Sequence, residues 1–482
     1  MSGLPLGVMS IATYLNKNGH EAFFVDRFYD STPLDELTLR YSPDVVGVAL
    51  MSDTMLLDTM RLGEYFRDNG VPVVIGGTHA SIIPEMLIRE EKADYVVIGE
   101  GEQTWLELAD ALRDGADPRK VPGLYYSDGG EPVFSGQREH IDLSALGPTD
   151  FTLVPDVSRY FQSVYFYDKM LYLYMSKGCT GTCRFCFNPY FHRCQRRVRP
   201  VEHLFDEIEY LIRECGLKTV YFADELWGLT RSERESFYAE KKRRGLDFVW
   251  GCQTRIGVLK RDDIKKMHEN GCRWIMFGVE APPGKLERLV DKRIPYNLIQ
   301  PTLLDCRAAG MITNISFIIN YPFTEEQDLR DTVSFAKTLT PTYISFHYYV
   351  PLEKSELYDI IVKNGMYKPP ETLDEMSRRF LWETVIPEFS DVPEIDFRVV
   401  RGSFQLKSLL TRTPRSYSGG KSFIVEAVKS VLLNLGAGTF RTRVTGFFYT
   451  AKYFFDTVGS VLLHPRIRKK YGLEIGYILR SA

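Results

Sequence analysis

The sequence predicts an α/β fold with two parallel sheets, and two observations carry this prediction. Apolar runs rich in Val and Ile alternate with helix-periodic segments from Met9 to Arg113, and a second alternating series follows from Leu171 to Tyr348. Near-continuous apolar strands linked by helices are typical of parallel sheets that are covered on both faces. We predict a Rossmann-like N-terminal sheet over residues 1–135, a linker over 136–168, a partial (β/α)6 TIM-like barrel over 169–370 and a mostly helical, basic region over 371–482.

The first region contains four predicted strands with helices around them. The strands are Ala22–Asp26, Asp44–Leu50, Val71–Gly77 and Tyr95–Gly99, and the helices are Met9–Asn16, Met55–Asp68, Glu85–Glu91 and Gln103–Arg113. A small hairpin is expected within 117–135, because Asp128-Gly129-Gly130 is a turn signal. Sheets of this kind bind ligands beyond the carboxyl ends of their strands, so we expect the binding site at that edge.

The second region contains six predicted strands. They are Leu171–Met175, Thr219–Phe222, Phe248–Thr254, Arg273–Val279, Thr313–Ile319 and Tyr343–Tyr348. The helices between them are Glu202–Glu214, Arg231–Arg243, Arg261–Asn270, Gln300–Ala309 and Glu325–Lys337. This alternation is enough for an open, partial version of a parallel barrel, in which catalytic groups gather at the carboxyl ends of the strands.

Charge is distributed unevenly along the chain. Between Arg401 and Ala482 there are 14 Lys/Arg and 3 Asp/Glu, a net charge of +11, while the rest of the chain carries −14. A basic tail on an acidic body suits contact with an anionic surface or substrate, and equally suits a solvated helical tail. The apolar stretches 423–435 and 446–463 are interrupted by charged residues. We therefore expect no transmembrane segment, with peripheral membrane contact through the basic region left open.

The 8 cysteines all lie between Cys179 and Cys306. A disulfide framework would be spread along a chain of this length, so we expect reduced thiols and a cytoplasmic protein. The first residues show neither a charged n-region nor an apolar h-region, which predicts no secretory signal.

Three of these cysteines, Cys179, Cys183 and Cys186, lie in one short loop with the spacing C-x3-C-x2-C. The loop follows the first predicted barrel strand, and Gly178 and Gly181 permit the unusual backbone that a cluster-binding loop needs. Structural zinc sites and ordinary ferredoxin clusters take four protein ligands. Three thiolates around a four-iron cube would leave one iron open, and an open metal position is available for substrate chemistry.

The alternative interpretation is a zinc loop whose fourth ligand is His192 or Cys194. The tight spacing disfavours it, because zinc sites usually pair two separated knuckles. The remaining cysteines are interpreted as small buried hydrophobic residues, and they are Cys194, Cys215, Cys252, Cys272 and Cys306.

With Phe185 directly before the last cysteine, the motif reads C-x3-C-x-aromatic-C. In this respect the chain resembles radical S-adenosylmethionine (SAM) enzymes, and among them the class with an N-terminal cobalamin-binding domain. The resemblance implies that the three cysteines hold a [4Fe–4S] cluster, that SAM chelates the open iron, and that Phe185 lies beside SAM. It also implies an electron donor such as flavodoxin or ferredoxin, and cleavage of SAM to a 5′-deoxyadenosyl radical.

Other segments match the same family in order and imply further SAM contacts. Asp224 and Glu225 end the second predicted strand and resemble the acidic pair that faces the methionine amino group. Arg255 ends the third strand, and Glu280 ends the fourth within a G-V-E segment whose Glu contacts the cofactor. One departure is Asn320, where relatives usually carry Gly. For Asp224, a cap on the following helix is an equal alternative.

The N-terminal segments Pro5-Leu6-Gly7, Pro43–Gly47, Gly76–Ala80 and Gly99–Glu102 resemble the cobalamin-binding domain of this class. The implied cobalamin contacts are Ser52, Gly76, Gly77, His79, Gly99 and Glu100. The D-x-H-x-x-G motif, which elsewhere supplies a histidine ligand to cobalt, is absent from the sequence. We therefore predict cobalamin bound without a protein histidine on cobalt, and His79 as a hydrogen-bonding loop residue. Relatives usually have a strand before the Pro5-Leu6-Gly7 segment, so we expect either a reduced sheet that lacks this first strand or a natural start upstream of Met1.

The leading functional hypothesis is a cobalamin-dependent radical SAM enzyme that abstracts hydrogen from an unactivated carbon and then transfers a methyl group to it. The alternative within the class is oxidative cyclisation or rearrangement, as in the anaerobic magnesium-protoporphyrin ester cyclase. The alternative of another class is a non-catalytic metal-binding scaffold. The expected partner is a small-molecule substrate, hydrophobic or anionic in character, and no nucleic acid is expected.

Overall fold

The computed structural model describes residues 3–165, 167–378, 389–410, 459 and 461–473. The strands of the N-terminal domain are β1 (Val46–Ala49), β2 (Val73–Gly76), β3 (Tyr95–Val97), β4 (Leu124–Asp128) and β5 (Glu131–Phe134). They form one sheet in that order, in which β1 to β3 are parallel and β4 and β5 form the predicted antiparallel hairpin. The helices are α1 (Leu6–Lys17), α2 (Leu34–Tyr41), α3 (Leu56–Asp68), α4 (Pro84–Arg89), α5 (Glu102–Asp114) and α6 (Leu143–Leu146).

The surroundings of the central strand β2 explain why its sequence is a continuous apolar run. Val73 and Ile75 point to one face and join the cluster that contains Phe66 of α3. Val74 points to the other face and joins the cluster that contains Trp105 of α5. Because helices cover both faces, neither face of β2 needs polar side chains.

The predicted strand Ala22–Asp26 is wrong. No strand is assigned to this segment, and the backbone of Ala22 is bonded at both its N–H and its C=O by the side-chain amide of Asn16. Phe23 packs against Tyr41 with tilted rings at 4.5 Å between centroids, and Phe24 packs against the core of the barrel. β-propensity without a neighbouring strand does not make a strand. The expectation that a first strand is lacking stays a prediction.

The second sheet is the predicted partial barrel. Its strands are β6 (Gln162–Val164), β7 (Tyr167–Leu173), β10 (Thr219–Phe222), β11 (Val249–Thr254), β12 (Cys272–Glu280), β13 (Ile312–Ile319) and β14 (Tyr343–Tyr348), and a separate hairpin is formed by β8 (Ser176–Lys177) and β9 (Arg197–Val198). The order is β14-β13-β12-β11-β10-β7-β6, with β7 and β10 to β14 mutually parallel and β6 antiparallel to β7. The six predicted strands are thus confirmed, and the sequence analysis missed β6.

Helices connect these parallel strands. They are α7 (Asn188–Phe191), α8 (Val201–Cys215), α9 (Arg231–Arg244), α10 (Arg261–Glu269), α11 (Lys285–Val290), α12 (Tyr296–Ala308) and α13 (Glu326–Thr338). On the helix side of the sheet, Trp250 packs against Trp227 and Phe237 at 4.6 and 5.2 Å between ring centroids. On the opposite side, Trp274 lies parallel to Tyr221 over Gly251, where any side chain would overlap the indole. The α/β class with a partial barrel is therefore confirmed.

After β14 the described chain is helical, as predicted. The helices are α14 (Glu356–Lys363), α15 (Leu373–Arg378), α16 (Glu394–Leu410) and α17 (Pro465–Lys470). α16 covers β14, with Phe404 against Phe346 at 4.7 Å between ring centroids. The apolar stretches 423–435 and 446–463 lie outside the described residues, apart from residues 459 and 461–463. Among the helices that the structure describes, none combines the length and apolarity needed to span a bilayer.

Candidate active site at the cysteine loop

The three predicted cluster ligands lie together in one loop, here called the cysteine loop (Cys179–Cys186), which the β8–β9 hairpin brackets. A Cβ built on Gly181 would lie 3.4 Å from Cys179 Sγ and 3.7 Å from Cys183 Sγ, so both thiols border this glycine. The Gly181 N–H points at Cys179 Sγ at 3.3 Å, and the Asn188 N–H points at Cys186 Sγ at 3.4 Å. Backbone donors aimed at sulfur suit thiolate ligands.

A single zinc ion and a cubane cluster make different demands on the ligands of the cysteine loop. In the described part of the chain, no three or more His, Cys, Asp or Glu side chains converge on one ion position. Zinc needs all its ligands about 2.0–2.3 Å from one centre, whereas a cubane takes thiolates at separate irons. The two fourth ligands considered for zinc make other contacts, because Cys194 Sγ faces Gly181 O at 3.9 Å and His192 Nε2 lies 3.5 Å from Glu225 Oε1.

Gly178 sets the entry to the loop. Its φ is +86°, and a Cβ would overlap the carbonyl oxygen of Gln195 and lie 3.1 Å from His192 Cβ. Its N–H donates to Glu225 Oε2 at 3.0 Å. Burial alone would raise the pKa of Glu225, but His192 and the Gly178 N–H stabilise the carboxylate and lower that pKa. Glu225 therefore holds the loop entry as an ion, and its predicted contact with SAM stays a prediction.

Asp224 supports the strand end just before the loop. The residue is completely buried, its Oδ1 accepts bonds from Ser176 N–H and Oγ at 2.5 Å each, and its Oδ2 accepts from Met175 N–H at 3.1 Å. Burial raises the pKa of Asp224 to about 6 against the effect of these bonds. The alternative of a helix cap is wrong, since Thr230 caps α9. The predicted SAM contact of Asp224 is untested by this geometry.

Glu280, at the end of β12, faces a lysine that the sequence analysis missed. Its φ is +69°, and its Oε1 accepts a bond from Lys292 Nζ at 2.9 Å, with Ser316 Oγ 3.3 Å away. Gly278 makes room for this pair, because a Cβ there would overlap both charged groups. The signal available in the sequence was a Lys-Arg pair shortly after the G-V-E segment. A carboxylate, an ammonium and a hydroxyl thus meet at one strand end.

Arg255 clamps the segment that carries Lys292. Its Nη2 donates to the carbonyl oxygens of Lys292 and Arg293. Burial raises the pKa of the Cys183 thiol, and the charges of Lys292 and Arg255 oppose that rise. Burial likewise raises the pKa of Cys186 to about 12. The positive groups therefore lie within electrostatic range of the cysteine loop, where they favour thiolates and the carboxylate of a bound ligand.

The backbone conformation of Asn320 explains why Asn can replace the Gly of the family pattern. It has a φ of +59° and is buried, and its Oδ1 accepts a bond from Ser390 Oγ at 3.2 Å. Asn tolerates this left-handed conformation better than most residues other than Gly, the residue expected here from the family resemblance. The next residue, Tyr321, packs on Phe185 of the cysteine loop at 6.3 Å between ring centroids. The contact of Phe185 with SAM stays a prediction.

The predicted cobalamin residues lie at the carboxyl ends of β1 to β3. Gly77 has a φ of +108°, and a Cβ there would come within 2.8 Å of Leu50 O and 3.0 Å of Met51 Sδ. A Cβ on Gly76 would only touch Val97, at 3.6 Å. Gly99 has a φ of +77°, and its N–H donates to Ser81 Oγ at 3.0 Å. The glycines at this edge carry no side chains, so a large flat ligand can come close to the backbone there.

His79 and Ser52 are the polar residues of this edge. The backbone N–H of His79 donates to Leu50 O at 3.1 Å, but its side-chain Nε2 is buried with no partner among the described residues. Burial lowers the pKa of His79, opposed by the charge of Asp53. Ser52 Oγ lies 2.7 Å from Thr54 Oγ1. An orphaned buried nitrogen next to a glycine turn fits a bound cofactor, and the predicted contacts of His79 and Ser52 stay predictions.

Glu100 lies at the same edge but is bonded to the other domain. Its carboxylate is paired with both terminal nitrogens of Arg197, at 2.9 and 2.5 Å. Two residues on, Glu102 accepts a bond from Lys177 Nζ at 3.1 Å. Lys177 and Arg197 are opposite one another in the β8–β9 hairpin. These partners lie far along the chain, so only the fold reveals them, and the predicted cobalamin contact of Glu100 stays a prediction.

Comparison with known families agrees with this architecture. The B12 binding domain model matches residues 2–109, and the Radical SAM superfamily model matches residues 173–336. The chain therefore contains an N-terminal B12-binding domain followed by a radical SAM domain. The predicted family is confirmed, and with it the cofactor set of a [4Fe–4S] cluster, SAM and cobalamin.

Individual relatives share about a quarter of their aligned residues with this chain or fewer. An uncharacterized methyltransferase of Pyrococcus horikoshii is 26% identical over 372 residues, which are 76% of this chain and 80% of the relative. The anaerobic magnesium-protoporphyrin IX monomethyl ester cyclase of Rubrivivax gelatinosus is 25% identical over 377 residues, which are 73% of this chain and 65% of the relative. The solved structure of OxsB with aqua-cobalamin and SAM bound covers 100% of this chain and 78% of its own, at 16% identity and a TM-score of 0.71, and shows the same fold.

Proposed function

We propose that this protein is a cobalamin-dependent radical SAM methyltransferase acting on an unactivated carbon of a small molecule in the cytoplasm. The observation that carries the proposal is the docking of two cofactor edges: the glycine-lined edge of the N-terminal sheet is bonded, through Glu100 and Arg197, to the hairpin that brackets the cysteine loop. When bound, the cluster, SAM and cobalamin together supply a hydrogen-abstracting radical and a methyl group.

The residues of the chain bind and orient these groups. Cys179, Cys183 and Cys186 would hold the cluster at three irons, and Gly178 fixes the loop that carries them. Lys292 would offer positive charge to the carboxylate of SAM, and Glu280 would accept from the ammonium or ribose hydroxyl groups of SAM. Positioning of this kind is the protein's main contribution when cofactors carry the chemistry.

The region after the barrel closes the substrate side in this proposal. Leu373 and Met376 of α15 join the buried cluster of the N-terminal domain, and the Leu373 N–H donates to Glu90 Oε1 at 2.7 Å. The chain thus returns from the barrel to the N-terminal domain. The proposed domains are residues 1–135, 169–370 and 371–482. The proposed electron donor is a flavodoxin or ferredoxin, and the proposed substrate is hydrophobic or anionic.

The test follows methyl-labelled SAM on protein reconstituted anaerobically with iron, sulfide and cobalamin. The expected result is label in the corrin, and then in a product when extracts of the source cells supply the substrate. Label that stays in methionine, together with a product that has lost hydrogen, would replace methyl transfer by oxidative cyclisation. The cyclase relative is the observation that favours this second candidate.

A further inference from the structure

The two glutamates of the Gly99–Glu102 segment lie at the boundary between the two cofactor domains. The Glu100 side chain is 7% exposed and that of Glu102 is 3% exposed. Neither carboxylate points to solvent, and each has a cationic partner in the other domain. Buried carboxylates at an interface are stable only when they are paired.

The Glu100 contact is a bidentate ion pair. Arg197 Nη1 and Nη2 reach the two carboxylate oxygens at 2.9 and 2.5 Å, and Nη1 also donates to Ile141 O at 2.9 Å. His140 Nδ1 lies 3.8 Å from the same carboxylate. Burial alone would raise the pKa of Glu100, but the bond from Arg197 and the charge of Lys177 lower it. The fork geometry fixes both distance and direction between the two domains.

The Glu102 contact repeats the pattern on the neighbouring strand of the hairpin. Glu102 Oε1 accepts bonds from Lys177 Nζ at 3.1 Å and from Ser10 Oγ at 2.8 Å. Because Lys177 pairs with Arg197 across the β8–β9 hairpin, both ion pairs act on the same small element.

That element is directly connected to the cluster ligands. Lys177 is followed by Gly178 and Cys179, and the preceding Ser176 is held by Asp224. A shift of the hairpin relative to the N-terminal sheet would therefore move the cysteine loop relative to the cobalamin edge. Methyl and radical chemistry on one carbon requires both cofactors within reach of it, and misplacement by about 1 Å can cost on the order of 100-fold in rate.

We propose that Glu100 and Glu102 are positioning residues that lock the cobalamin domain onto the hairpin of the cysteine loop, and so set the separation of the two cofactors. This inference rests on the proposed function, in which both cofactors serve one reaction. It differs from the sequence pattern, which assigns Glu100 to cobalamin itself.

The first experiment uses the protein without cofactors, so that it does not depend on the proposed function. Hydrogen exchange is followed in the segments 99–102, 176–178 and 195–198 for the wild type, Glu100→Gln, Arg197→Gln and the double variant. We expect exchange to rise about tenfold or more in all three segments for each single variant, since a buried charge loses its partner. The double variant should be no worse than the more damaging single one. The control is Arg67→Gln, which breaks an ion pair with Asp94 inside the N-terminal domain and should leave these segments protected.

The second experiment uses the reconstituted protein and measures the spin–spin distance between cob(II)alamin and the reduced cluster. Glu100→Gln should keep its corrin and its iron and show a broadened or longer distance distribution. An unchanged distribution with unchanged exchange would overturn the proposal. Loss of corrin with intact protection would identify Glu100 as a cobalamin contact instead. If the wild type binds iron but no corrin, the proposed function fails while the exchange experiment still decides on the lock.

Discussion

The substitution Gly178→Ala tests whether cluster binding depends on the backbone conformation at the entry of the cysteine loop. Gly178 has a φ of +86°, a left-handed conformation that costs a residue with a Cβ about 1–2 kcal/mol. The added Cβ would also overlap the Gln195 carbonyl oxygen, far inside the 3.0 Å that real Cβ contacts respect. Relieving an overlap of this kind costs a further ~1–3 kcal/mol and moves the loop. The movement includes the Gly178 N–H, which donates a hydrogen bond to Glu225.

The chain supplies a matched control in Gly19. Its φ is +88°, almost the same as that of Gly178, but a Cβ there meets nothing within 4 Å. Gly19→Ala therefore carries the conformational cost alone, and Gly178→Ala carries that cost plus the overlap. The assay is iron and sulfide content after anaerobic reconstitution, with the absorption spectrum of the cluster as a second readout.

We expect Gly19→Ala to bind as much iron as the wild type, about four per chain for a cubane. Gly178→Ala should bind less than half as much, because its cysteines no longer border Gly181 as they do in the wild type. Equal iron content in the two variants would refute the argument, since it would mean that the position of residue 178 does not decide the geometry of the loop.

Three further predictions concern other residues of the site. The pKa of Asp224 is about 6 in the folded protein against 3.8, so its contribution to the free energy of unfolding is fully present below about pH 4 and is lost as the pH rises through 6. In urea unfolding, the free energy of unfolding of Asp224→Asn relative to the wild type should therefore increase by an amount on the order of 3 kcal/mol from pH 4 to 7. A pH-independent difference would contradict this. Lys292→Met should weaken SAM binding to the reconstituted protein about tenfold in equilibrium dialysis, whereas Lys285→Met, which breaks the ion pair with Asp328, should not; equal affinities would remove Lys292 from the site. Asn320→Gly should unfold thermally close to the wild type and Asn320→Val well below it, because the φ of +59° disfavours a β-branched residue; the reverse order would contradict the explanation of this position.

The strands of the barrel were predictable because their burial leaves a local record in the sequence. In Thr313–Ile319 the buried residues Ile315, Phe317 and Ile319 recur at every second position, and the structure extends this strand by one residue to β13. The cysteine loop was predictable for a similar reason, since all three ligands lie within 8 consecutive residues. Local patterns therefore located the strands and the metal-binding loop without any knowledge of tertiary contacts.

Tertiary partners left no such record. Ala22–Asp26 has the composition of a strand, but strand formation depends on a neighbour that the segment does not have among the described residues. Lys292 reaches Glu280 only because the chain folds back after α11, and Arg197 reaches Glu100 across 97 positions. A sequence pattern can nominate a charged residue at a strand end, but it cannot distinguish a cofactor contact from an ion pair that holds two domains together.

We expect the cysteine loop to hold a cluster with one open iron, at which SAM is cleaved. Formation of 5′-deoxyadenosine from SAM by the anaerobically reconstituted protein under reducing conditions tests this, with Cys183→Ala as the control. We expect deoxyadenosine from the wild type, none from Cys183→Ala, and about four irons per wild-type chain. Stoichiometric zinc in the purified protein and no cleavage of SAM would contradict it.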